Sequence, residues 1–131
     1  MLRENEIQRV LTALLEDSGT AWRTQGGLIR FRLRRDGMTW ETACRCLEGR
    51  LLAYGRCPFV IGNIPGFLAE CSRINSQVVQ GALFLPQDGR PVFRTGARLY
   101  GLYNARERIA HALEYNAAAI ARFWGQMARY Q

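Results

Sequence analysis

Two periodicities run along this chain. From Arg3 to Ser18 the spacing is helical: Ile7, Val10, Leu11, Leu14 and Leu15 share one face, while Glu4, Glu6, Gln8, Arg9 and Glu16 occupy the other. Asp17-Ser18-Gly19 ends this helix, with glycine suited to a left-handed cap. Trp22 and Arg23 form either a short first strand or a lead-in, and Gln25-Gly26-Gly27 breaks the chain. From Leu28 the period becomes two. Ile29, Phe31 and Leu33 point one way and Arg30, Arg32 and Arg34 the other.

The turns set a register. Asp36-Gly37 is a two-residue hairpin signal, because both positions tolerate positive φ. Centred there, Leu33 faces Trp40, Phe31 faces Thr42, Ile29 faces Cys44, and Arg32 lies beside Glu41. A second turn at Glu48-Gly49 pairs Cys46 with Leu51, Cys44 with Ala53 and Glu41 with Arg56, and predicts a strand from Leu51 to about Phe59. Both hairpins assign the same apolar face: Ile29, Phe31, Leu33, Trp40, Cys44, Cys46, Leu51, Ala53 and Cys57. The opposite face carries Arg30, Arg32, Arg34, Arg45 and Arg56, with Tyr54 and with Glu41 between Arg32 and Arg56. Opposite charges across strands contribute roughly 0.2–1 kcal/mol per pair.

Asn63 and Pro65 mark a helix start, and Phe67, Leu68, Cys71, Ile74 and Val78 form its apolar stripe. A second hairpin is expected about Asp88-Gly89, flanked by Pro86 and Pro91. A tight turn there places Ala82, Phe84 and Phe93 on one face and Leu83, Leu85 and Val92 on the other. A hairpin apolar on both sides predicts that one side meets a helix and the other a partner. Asn104 with Glu107 reads as a capping box for a last helix to about Arg129. Ile109, Leu113, Asn116, Ile120, Trp124 and Met127 line its inner stripe. Its length of about 37 Å exceeds what a small sheet needs for cover, so part of it is free for another chain. The order is helix, three-strand meander, helix, hairpin, helix, which predicts one α+β domain over residues 1–131 with an antiparallel sheet.

Composition adds sign and excludes classes. The net charge is +7 and all 18 basic residues are arginine. A GC-rich genome would favour arginine codons over lysine codons whatever the function, so the choice of residue carries less than the sign, which permits nucleic acid or acidic protein as partner. The charge is +5 in residues 20–60 and +5 in residues 90–131, and slightly negative elsewhere. No apolar run approaches the ~20 residues that cross a bilayer. The charged start "MLRENEIQRV" does not read as a signal peptide, and the expected location is the cytoplasm.

Catalytic chemistry has little support. Cys44 and Cys46 are spaced C-x-C, Cys57 and Cys71 stand apart, and His111 is remote from all four, which is not a zinc pattern. Buried thiols are the simpler reading. "GNIPG" at Gly62 to Gly66 lacks the lysine and glycine spacing of a phosphate loop. No enzyme activity, catalytic residue, metal or cofactor is expected.

The segment "LAECSRINSQVVQGALFLPQDGRPVFRTGARLYG" resembles the YbjN-like family. The shared features are a helix ending near Ile74-Asn75, the G-x-L-x-L strand from Gly81 to Leu85, the D-G turn at Asp88-Gly89 and the V-F-R strand from Val92 to Arg94. Where that family often carries asparagine–arginine, this chain reads Asn75-Ser76. The resemblance implies a type III secretion chaperone-like fold in the order α-β-β-β-α-β-β-α. It also implies a bacterial homodimer that binds other proteins without known catalysis, in a family labelled for sensory transduction regulation.

The leading expectation is therefore a protein-binding adaptor or chaperone-like module in a regulatory or stress pathway. One alternative is a nucleic-acid-associated protein, whose basic face needs exposed aromatics for base stacking and has Tyr54 alone. The other is a small-ligand sensor. The candidate partner or nucleic-acid surface is Arg30, Arg32, Arg34, Arg45, Tyr54 and Arg56. Leu83, Leu85, Val92 and Trp124 are the candidate apolar surface for a dimer or partner.

Overall fold

A computed structural model describes all residues, 1–131. The elements are α1 (Glu4–Asp17), β1 (Trp22–Gln25), β2 (Leu28–Arg35), β3 (Met38–Leu47), β4 (Arg50–Arg56), α2 (Ile64–Gln77), β5 (Ala82–Phe84), β6 (Val92–Arg98) and α3 (Ala105–Ala128). The strands form one antiparallel sheet in the order β1-β2-β3-β4-β6-β5. The architecture is α+β.

The meander forms in the expected register. Leu33 pairs with Trp40, Ile29 with Cys44, Cys44 with Ala53 and Glu41 with Arg56. β1 is a full strand and not a lead-in. Gly26 and Gly27 both have positive φ, so this dipeptide is itself a two-residue hairpin turn that returns the chain as β2. β4 stops at Arg56, just before Cys57-Pro58, where proline removes a ladder donor.

The second hairpin corrects the sequence reading. Leu83 pairs with Phe93 and Phe84 with Val92, one residue away from the register of a tight Asp88-Gly89 turn. Pro86 and Pro91 cannot donate to a ladder, so pairing ends at Phe84–Val92. Asp88-Gly89 sits instead in a loop from Leu85 to Pro91, closed by the Gly89 N–H donating to the Pro86 carbonyl at 3.0 Å. Because side chains alternate with period two, a slip of one residue exchanges faces. Leu83 and Phe93 enter the core together, while Phe84 and Val92 share the other face.

All the helices lie on one side of the sheet. α1 packs Ile7, Leu11 and Leu15 onto Ile29, Phe31, Cys44, Cys46, Leu51 and Ala53. α2 places Phe67, Cys71 and Ile74 with Trp40, Cys57, Leu83 and Phe93. α3 spans both clusters through Ile109, Ile120, Phe123 and Met127. Asn104 makes no side-chain cap; a 3₁₀ turn from Leu102 to Asn104 leads into α3 instead. On α2 the Asn63 side chain accepts from the Gly66 N–H at 3.1 Å, as expected of an N-cap.

Leu68 is exposed, whereas Glu70 is buried on α2 together with Phe67, Cys71 and Ile74. Arg73 and Arg129 donate to its carboxylate at 3.3 and 3.2 Å, and the Tyr130 hydroxyl donates at 3.0 Å. These groups fasten the end of α3 to α2. The Arg73 hydrogen bond, followed by that from Tyr130 and by the charges of Arg73 and Arg129, holds the Glu70 carboxyl below the usual carboxylate range against the opposing effect of burial. A depressed folded value stabilises above the unfolded pKa of about 4.3 and is lost as pH falls through the folded value. Glu70→Gln is expected to be less stable than the parent at neutral pH, with the gap closing in acid. Urea unfolding at several pH values measures this; a gap independent of pH would contradict it.

Candidate functional site

With the helices on one side, the opposite side of the sheet has no layer above it. The residues there follow from alternation in register: Arg23 on β1, Arg30, Arg32 and Arg34 on β2, and Arg45 on β3. Arg50, Tyr54 and Arg56 follow on β4, and Arg94 and Arg98 on β6. Glu41 is the only acidic residue in the strands. The six residues assigned from the sequence to a partner surface, Arg30, Arg32, Arg34, Arg45, Tyr54 and Arg56, all lie on this face. Arg23, Arg50, Arg94 and Arg98 join them. Extending the same alternation into "VFRTGAR" and "RLLAYGR" finds three of those four.

The distribution of free charge differs from the sequence reading. Glu41 does not bind Arg32 or Arg56, although both are its direct cross-strand neighbours. It binds Arg23 at 2.9 Å and Arg30 at 3.3 Å. A diagonal neighbour at about 7–8 Å is within reach of a side chain as long as arginine. Arg30 is diagonal to Glu41 because it sits opposite Ala43, whose small side chain leaves the path open. The Arg23 hydrogen bond, with a further one from Arg30, holds the Glu41 carboxyl below its ordinary value. Arg56 is occupied by Asp88 at 3.1 Å. Arg30 is therefore committed, and Arg32, Arg34 and Arg45 form no ion pair.

Between the arginines the face is apolar. A groove of about 390 Å³ has Leu28, Ala43, Tyr54, Phe84, Pro86 and Val92 in its lining, with Arg30, Arg45, Arg56 and the already paired Glu41 around it. Phe84, which the register slip turns outward, is 38% exposed, so an aromatic side chain lies open beside the arginines.

The apolar surface expected from Leu83, Leu85, Val92 and Trp124 does not form as one surface. Leu83 is buried beside Phe93, and Leu85 is half-buried against the same core. Val92 is the one of the four that lines the groove. Trp124 is half-buried, with its ring 6.0 Å from Trp40 and 5.3 Å from Phe59. Helical geometry places Phe123 inward in its stead.

The cysteines are all buried. Burial pushes the Cys46 thiol up to about 11 and the Cys57 thiol up to about 12, and raises Cys44 and Cys71 as well. Thiols held so far toward the protonated form are poor nucleophiles at neutral pH. His111 is exposed on α3, with its ring 6.4 Å from that of Tyr115.

No protein-family model matches the chain, and no curated protein matches it by sequence. Among solved structures it is similar to that of YbjN from E. coli, which is described as a candidate transcription regulator. The two share 15% identity at a TM-score of 0.67, covering 91% of this chain and 92% of the other. At that identity the likeness is one of fold, and the chain has the YbjN-like fold. No helix is long and apolar enough to cross a membrane.

Proposed function

We propose that this chain is a non-catalytic, protein-binding regulatory module that docks an acidic partner segment on the helix-free face of its sheet. The observation that supports this best is the charge of that face: its strands present a field of arginines against one carboxylate, and Glu41 is already shared by Arg23 and Arg30. A partner with Asp or Glu beside one or two apolar side chains complements both the arginines and the groove at Tyr54, Phe84 and Val92. The arginines also make this face unsuited to self-association, since two copies would oppose like charges. The homodimer implied by the family resemblance would use another surface. Raised thiol pKa values accord with a module that performs no nucleophilic catalysis.

Reversing Arg32, Arg34 and Arg45 to Glu together is expected to weaken binding of acidic, apolar-containing peptides by about 100-fold, since each tenfold is about 1.4 kcal/mol. The secondary structure should be unchanged, because these side chains are outside the core. A peptide-display screen with titration calorimetry on parent and variant makes the comparison. Tight binding of DNA or RNA with a steep salt dependence, and none of acidic peptides, would replace this reading with a nucleic-acid one. Stabilisation only by small molecules seated in the groove would replace it with a ligand sensor.

A further inference from the structure

The sheet has an uncovered length of edge. β5 accompanies β6 only from Val92 to Arg94, whereas β4 accompanies it through Arg98. Alternate residues of an antiparallel strand turn their backbone groups to one neighbour and then the other. Leu99 donates to the Gly49 carbonyl at 2.8 Å, on the β4 side. Arg94, one step out of phase with it, pairs with Ala82 of β5. Gly96 and Arg98 are in phase with Arg94, so their N–H and C=O groups point past the end of β5.

No helix fills that space. A recess of about 540 Å³ lies there, lined by Gln80, Gly96, Ala97, Arg98, Glu107, Arg108 and His111. It adjoins a second recess of about 340 Å³ on the helix-free face, bounded by Arg50, Arg94 and Arg98. The adjacent β5 edge is treated differently. The Asn75 side chain donates to the Leu83 carbonyl at 2.9 Å and accepts from the Leu83 N–H at 2.8 Å, closing that edge as a neighbouring strand would. Along β6 the same kind of backbone is left open, and Gly96 and Arg98 are exposed.

The charge around the opening selects an occupant. Arg50, Arg94, Arg98 and Arg108 form no ion pair, and Glu107 is the one acid lining either recess. We propose that the free edge of β6 at Gly96 and Arg98 receives an extended acidic segment of a protein partner. The segment adds as a further strand, with the carboxylates of its helix-free face on Arg94 and Arg98. Backbone hydrogen bonds provide the register and alternate side chains the specificity. This rests on the protein-binding reading and adds how the partner's backbone is held.

The test uses the full chain, labelled with ¹⁵N, and a short peptide alternating glutamate with threonine. Three controls accompany it: the lysine-for-glutamate peptide, the same acidic peptide N-methylated at alternate backbone nitrogens, and oligo-dT. The acidic peptide is expected to slow amide exchange at Gly96 and Arg98 by about ten-fold or more. N-methylation or lysine should abolish that protection, and the double variant Arg94→Glu, Arg98→Glu should weaken binding by about ten-fold. Saturating peptide that leaves both amides unprotected overturns the inference, as does equal protection by the N-methylated peptide or protection by oligo-dT alone. Shifts at Tyr54 and Phe84 report the groove separately. A response there without protection at Gly96 and Arg98 removes the edge inference and leaves the sheet-face reading intact.

Discussion

Gly55→Ala is expected to destabilise the protein by about 3 kcal/mol, lowering its melting temperature by about 10 °C. A β-carbon at Gly55 would collide with the Ile120 side chain and with Asn116 Oδ1, both on α3. Gly55 is buried in β4 where α3 crosses the sheet, so the missing side chain sets how close helix and strand come. Accommodating a methyl group requires α3 to lift away, and α3 serves both halves of the core. Calorimetric unfolding of parent and variant checks this. A loss below about 0.5 kcal/mol, the range of neutral surface changes, would show that the helix gives way easily.

Asn116→Asp is the second large effect, and its pH dependence identifies the cause. Asn116 is 1% exposed, and its Nδ2 donates to the carbonyls of Ala53 at 3.1 Å and Phe93 at 2.9 Å, and to Thr95 Oγ1 at 3.2 Å. No hydrogen bond reaches its Oδ1. Aspartate keeps the shape but, when ionised, places an acceptor against two carbonyls in a buried site. The variant should be about 3 kcal/mol less stable than the parent at neutral pH. Its carboxyl is forced above its unfolded value, so the deficit arises as pH rises through the unfolded pKa of about 3.9. The deficit should therefore shrink in acid. Denaturant melts of both proteins from neutral to acid pH measure the difference, and a deficit that did not shrink would assign the loss to packing instead.

These two residues mark what a one-dimensional pattern can and cannot hold. Asn116 falls in the inner stripe of the last helix by spacing alone, but its three acceptors come from β4 and β6. Gly55 breaks no alternation, and only the crossing of α3 shows why a side chain is missing. A lone glycine within a strand pattern is nonetheless a signal of close backbone approach.

The meander was legible because each of its turns is local. Asp36-Gly37 and Glu48-Gly49 set register within a few residues, and period-two alternation then assigned every face from Ile29 to Cys57. The second hairpin was misread because two prolines silence the ladder beside its turn, and a one-residue slip exchanged Phe84 with Leu83. Glu70 was invisible for a different reason. A glutamate in an amphipathic helix reads as solvated until Arg129 and Tyr130, far along the chain, come to meet it.

The sequence by itself determined the helix and strand periods, the register of the meander and the arginine-bearing parity of its strands, all of which depend on neighbours a few residues apart. The tertiary structure alone decided that the helices share one side, which arginines Glu41 neutralises, and that β5 ends before β6 does. Those outcomes depend on contacts between distant segments and on the reach of long side chains, and no local pattern encodes either.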